Sequence, residues 1–105
     1  MDRFMALPRY AFTRGAVQYA PAEPGVFAFF DHEELIYVGH ASDAKGYSIC
    51  NLLKMHCDGT FGSCTQKATH YSWEITLSPL DREAEILASF LRHHNHEPRC
   101  QAKAA

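Results

Sequence analysis

The sequence predicts an α+β fold, a small three-stranded antiparallel sheet flanked by helices, and three features lead to it. Two aromatic-rich apolar runs, VFAFF and LIYVGH, lie on either side of the polar stretch Asp31 to Glu34, the pattern of a β-hairpin. In HYSWEITL, Tyr71, Trp73, Ile75 and Leu77 alternate with Ser72, Glu74 and Thr76, the period of two that marks a half-buried strand. Two further segments, beginning at Tyr47 and at Ser78, repeat their apolar residues at helical spacing.

Taken in order, residues 1–23 hold Pro8 and Pro21 and no sustained period, so they read as a lead-in segment. It carries one short strand around Ala16 to Tyr19 and packs across the sheet edge. Val26 to Phe30 and Leu35 to His40 form the hairpin strands. In YSICNLLKMHC, Ile49, Leu52, Leu53 and Cys57 share one helical face, and Asp58-Gly59 supplies the stop. The third strand covers His70 to Leu77. SPLD then starts a second helix: Ser78 can cap, Pro79 fills the first helical position, and Asp81 stands where a capping-box carboxylate sits. That helix runs to about His94 with Ala84, Leu87, Ala88 and Leu91 as its core stripe, and Pro98 closes the element. The order is ββαβα in one domain, residues 1–105, with its core in 24–101.

At 105 residues and 47% hydrophobic, the chain is long enough to bury a core without metal or disulfide staples. No apolar run approaches the roughly 20 residues of a bilayer span, and MDRFMALPRY lacks the apolar centre of a signal peptide. The expectation is a soluble, cytoplasmic protein with no membrane partner, its four cysteines present as free thiols. A formal charge of −2 supplies no global basic field, so nucleic-acid binding would need a local patch or bound cations.

The residues GVF (Gly25 to Phe27) and YVG (Tyr37 to Gly39) on the first two strands resemble the paired signature of the GIY-YIG nuclease superfamily. The helix ending near His56, the stretch CTQKATHYSWEI, the helix opening REAEILASF and the tail PRC continue the resemblance over most of the chain. It implies metal-dependent hydrolysis of a phosphodiester bond in nucleic acid, DNA as the expected substrate, with a single Mg²⁺ or Mn²⁺ ion. In that chemistry a tyrosine helps to activate water, a cation stabilises charge growing on the phosphate, and a helix glutamate holds the metal.

Carried over residue by residue, the resemblance assigns Tyr37 to the attacking water. Glu85 is assigned to the metal, with Glu83 as the alternative on the opposite side of the helix. Phe27 replaces the first signature tyrosine and reads as core. Cys50 or Leu52 occupies the position of the family arginine, so Lys54, or Lys45 before the helix, is the substitute cation, and His56 is a further donor. Gly25, Gly39, His40 and Lys67 are candidate nucleic-acid contacts, with Gln101 where the family places a tail asparagine.

Two other readings compete. Cys57, Cys64 and His56 are candidate structural zinc ligands, although no CxxC pair occurs. The loop FGSCTQKATHY, through Lys67, His70 and Tyr71, would serve a catalytically impaired scaffold that binds nucleic acid or protein. Sequence specificity would then come from a protein partner.

Overall fold

The computed structural model of the chain describes residues 2–102. Its central hairpin is β2 (Gly25–Asp31) paired with β3 (Glu34–Ala41) through a tight turn at His32 and Glu33. β4 (His70–Ile75) lies antiparallel on the other side of β2, and a two-residue strand β1 (Tyr10–Ala11) extends β4. The sheet therefore has four strands in the order β1-β4-β2-β3, not three, with β3 at one open edge. The added strand is held by aromatic packing: the Tyr10 ring sits 5.6 Å from Tyr71 and 6.5 Å from Trp73. The strand expected at Ala16 to Tyr19 is instead part of a one-turn helix, α1 (Arg14–Val17), because Thr13 caps it by accepting from the Ala16 amide.

Helix α2 (Ile49–Cys57) begins with a complete capping box between Ser48 and Asn51 and ends at Asp58, after which Gly59 turns the chain with a positive φ. A one-turn helix, α3 (Ser63–Gln66), precedes β4, and α4 (Pro79–His94) follows it. Pro79 opens α4 as expected, but the Ser78 side chain makes no capping bond. The core stripe of α4 is also rotated from the expected one. Ile86, Ser89 and Phe90 are buried, Leu87 is half-buried, and Ala84, Ala88 and Leu91 face outward.

Both sheet faces are covered. Phe27, Phe29, Ile36, Ile49, Leu53 and Tyr71 pack on the α2 side, while Val26, Ala28, Phe30, Leu35 and Val38 meet Ile86 and Phe90 of α4. Burial on both sides explains why β2 is apolar at every position from Val26 to Phe30 instead of alternating. Gly25 permits close approach to β4: a Cβ there would stand 2.3 Å from the Glu74 carbonyl oxygen. A β-bulge between β2 and β3 pairs Phe29 with Tyr37 but Phe30 with Leu35, leaving Ile36 as an extra residue. Ile36 and Tyr37 consequently share the α2 face.

The expectation of four free thiols is overturned, since Cys64 of α3 forms a disulfide with Cys100 of the tail, their Cα atoms 5.7 Å apart. Cys50 is buried with its thiol donating to the Val17 carbonyl, and Cys57 is half-buried. The pairing also takes Cys64 out of the zinc set considered above.

Arg82 of α4 ties the lead-in segment to the sheet. Its guanidinium donates to Asp2 at 2.7 and 2.9 Å and to Glu74 at 2.9 and 3.2 Å, and its side chain is only 12% exposed. Hydrogen bonds from Arg82, more than any other influence, hold the Asp2 carboxyl below the usual carboxylate range. Arg82→Met should cost about 2 kcal/mol at neutral pH in urea unfolding, because two half-buried carboxylates lose their cation. Asp2 supports folding only while it is ionised, so the difference between the two chains should shrink as pH falls through its lowered pKa. A loss under about 0.5 kcal/mol would mean the carboxylates are solvated well enough to stand without Arg82.

Candidate functional site

The largest groove that contains signature residues runs along the β3 edge, with a volume of about 470 Å³. Being at the edge, β3 lets side chains from both sheet faces reach one cleft. Tyr37 contributes from the α2 face, and His40 contributes from the α4 face, where it pairs with Val26. Helix α2 adds Leu52 and His56, the turn before it adds Lys45 and Tyr47, α4 adds Glu83, and the tail adds Gln101.

Glu83 is the carboxylate of this groove. Its Oε2 lies 2.8 Å from His40 Nδ1, and it is mostly shielded from solvent. Glu85 does not join Tyr37: it projects to the other side of α4, 67% exposed, beside Arg82 at 3.3 Å in a separate surface cleft. Two residues along a helix is about 200° of rotation, so only one of the pair can face the groove.

Tyr37 is half-buried, and its phenol is held above its usual pKa by burial and then by the charge of Glu83. It remains a neutral phenol at physiological pH, suited to orienting a water molecule by hydrogen bonding. Gly39 makes room for it, since a Cβ there would stand 2.6 Å from the Phe27 ring and 2.9 Å from the Tyr37 ring. Phe27 is fully buried in the α2-side core while its ring forms part of the groove wall.

His56 is buried among rings, with centroids 4.5 Å from Phe61, 4.8 Å from Phe29 and 5.2 Å from Tyr37. Its Nδ1 lies 2.7 Å from Thr65 Oγ1. Burial lowers its pKa to about 4, so it stands in the groove as a neutral imidazole and supplies no cation to a phosphate at pH 7.

The other expected residues divide. Lys54 sits in a separate cavity with Arg14, Cys57 and Asp58, and Lys67 in another with Asp31, Cys64 and Arg99, so neither lies beside Tyr37. Lys45 is the ammonium that lines the groove. Leu52 occupies the helix position there and offers no charge. Gly25 serves strand packing, away from the cleft. Gln101 lines the groove, and both ends of its amide are tied to β3: Oε1 accepts from the Val38 amide at 3.0 Å and Nε2 donates to the Val38 carbonyl at 2.8 Å. Tyr47 opens the expected helical pattern and Phe61 belongs to the expected loop, yet both line the cleft. Their placement depends on the turn at Gly46 and on the loop after α2, which leave no periodic signal.

Among the described residues no three His, Cys, Asp or Glu side chains converge into a metal cage. What the groove offers a metal is the one carboxylate of Glu83. That suits a hard divalent cation that keeps waters and takes phosphate oxygens as further ligands. It does not suit zinc, which asks for four closed ligands in a structural site. No helix in the described residues is long and apolar enough to cross a membrane.

No family model matches the chain, and no curated protein matches its sequence. Among solved structures it is similar to the GIY-YIG N-terminal endonuclease domain of UvrC from Thermotoga maritima bound to magnesium, with a TM-score of 0.55 at 20% identity, covering 82% of this chain and 91% of that one. A point mutant of the same domain, bound to its catalytic divalent cation, matches with a TM-score of 0.56 at 19% identity, covering 82% of this chain and 90% of that one. The chain thus has a GIY-YIG-like fold, with a four-stranded sheet.

Proposed function

We propose that this GIY-YIG-like chain hydrolyses phosphodiester bonds in DNA with a divalent cation held at Glu83. The observation that carries the reading is the meeting of Tyr37, His40, Lys45 and Glu83 in one groove of a fold shared with a magnesium-bound endonuclease domain. Glu83, and not Glu85, is the residue that would hold Mg²⁺ or Mn²⁺, which when bound would neutralise charge on the leaving oxygen. Lys45 meets the phosphate charge that an arginine would meet more specifically, since an ammonium lacks the planar two-pronged geometry of a guanidinium. Tyr37, neutral, orients the attacking water. His40 sits against Glu83 and keeps its carboxylate turned toward the cleft. Tyr47 and Phe61 present ring surface on which a nucleobase can stack.

A second reading draws on the same groove: Phe27, Leu52 and Phe61 make part of its wall apolar, which suits a module that binds nucleic acid or a protein without cleaving. Plasmid nicking with and without Mg²⁺ or Mn²⁺ separates the two. Metal-dependent nicking that falls at least tenfold (about 1.4 kcal/mol) in Tyr37→Phe supports hydrolysis. Retained DNA binding without nicking in either metal supports the binding module and overturns the enzyme.

A further inference from the structure

The Cys64–Cys100 disulfide joins two short segments, and each of them sets one wall of the groove. On one side, Cys64 precedes Thr65, whose hydroxyl sits 2.7 Å from the Nδ1 of His56. On the other, the Cys100 amide donates to the Ile36 carbonyl at 2.9 Å, and Gln101 holds both backbone groups of Val38. The tail thereby satisfies the outer edge of β3 at the bulge and at the residue after Tyr37. Among the described residues, these bonds, the exposed pairing of Arg99 with Asp31 and Glu34, and the burial of Pro98 and Cys100 hold the tail, and this disulfide is its covalent anchor.

We infer that Cys64 is a thiol-exchange site through which a dithiol reductant loosens the tail from β3 and opens the groove. Cys100 is fully buried, whereas Cys64 is half-buried and lines an open surface cavity of about 410 Å³ together with Lys67 and Arg99. A small thiolate can therefore reach Cys64 Sγ and not Cys100 Sγ, and Lys67 favours its approach, Arg99 being already paired with Asp31 in the same cavity. The thiolate forms a mixed disulfide at Cys64 as the Sγ–Sγ bond breaks and Cys100 leaves as a thiolate. The second thiol of the reductant then displaces Cys64 and closes a cyclic disulfide. The reductant has lost two electrons and two protons, and both cysteines end as thiols.

Once released, the segment at Cys100 and Gln101 keeps its hydrogen bonds to β3, the core packing of Cys100 and the exposed pairing of Arg99, but no covalent tie. The Val38 and Cys100 amides then exchange with solvent by local opening of the tail and not by unfolding of the sheet. This proposal goes beyond the hydrolytic reading and does not depend on it.

The test uses the full chain, air-oxidised and then treated with dithiothreitol, with free thiols counted by alkylation in denaturant and amide exchange followed residue by residue. Two thiols are expected before reduction, Cys50 and Cys57, and all four cysteines afterwards. Exchange at Val38 and Cys100 should then accelerate at least tenfold (about 1.4 kcal/mol) while Val26 to Phe29 stay protected, and oxidised glutathione should restore the slow rates. Cys64→Ser should show the fast rates without reductant. Four alkylated cysteines in the oxidised protein, unchanged exchange at Val38 after reduction, or equal acceleration at Val26 would each overturn the proposal. The last would mean that the bond staples the whole fold.

Discussion

Glu83→Gln is expected to lower magnesium-dependent strand cleavage by at least 10²-fold (about 2.7 kcal/mol in the barrier), and Glu85→Gln to leave it within about threefold. The asymmetry follows from helix geometry. Both residues belong to REAE in the first turns of α4, but Glu83 reaches the groove beside Tyr37 and His40, while Glu85 lies in solvent beside Arg82. Glutamine keeps the size and a hydrogen-bonding oxygen but loses the charge that a hard divalent cation needs. The check is initial nicking rate against Mg²⁺ concentration for the three chains. Equal losses in both variants, or a loss confined to Glu85→Gln, would move the metal out of this groove. Unfolding in urea, run alongside, excludes a mere stability effect.

The second large effect is on acid stability. His56 stays neutral in the folded chain until about pH 4, because burial among aromatic rings penalises its charged form. In the unfolded chain the same imidazole takes up a proton near its ordinary pKa of about 6.5. Between those two values the unfolded state binds more protons, so stability falls as pH drops through that window and is unaffected by this group above it. The full loss is roughly 3 kcal/mol by pH 4. His56→Phe, which keeps a ring in the same aromatic cage, should flatten the profile by roughly 2.4 kcal/mol when urea unfolding at pH 7 and pH 4.5 is compared. It also leaves the Thr65 hydroxyl without its partner at every pH, so the slope and not the absolute stability is diagnostic. Identical slopes in the two chains would show that His56 takes up its proton as readily folded as unfolded, and overturn the effect of its burial.

How much of this was legible beforehand differs from element to element. The hairpin was readable from two aromatic-rich runs around a polar turn, β4 from its period of two, and α2 and α4 from helical spacing with strong boundaries, Asp58-Gly59 and Pro79. The two-residue β1 was not, since two residues carry no period, and its pairing depends on contacts with β4 some 60 positions away. The lining of the groove was half-readable. Tyr37, His40, His56 and Gln101 do reach the groove, whereas Lys54 and Lys67 lie elsewhere. The resemblance assigns the metal to Glu85 with Glu83 as the alternative, and the expected stripe of Ala84, Leu87, Ala88 and Leu91 does not separate the two. Counting instead from the bulky pair Ile86 and Phe90, Glu83 falls three residues before Ile86 and seven before Phe90, on the buried side. The disulfide was missed because Cys64 and Cys100 are 36 residues apart, and nothing in their spacing says that the tail returns to α3.

The extra residue at Ile36 bears on how chains of this kind should be recognised. With regular pairing after Leu35, strict alternation would turn Tyr37 toward α4, and the same letters YVG would bury their hydroxyl under Phe90 and away from the cleft. The single-residue insertion that spoils the pairing is what aims the phenol. A pattern search that rewards the letters of the two signature triplets but tolerates any number of residues between them therefore mixes two populations. Only one parity of spacing presents its tyrosine to the groove beside α2, and in distant relatives that parity should be scored ahead of the letters themselves.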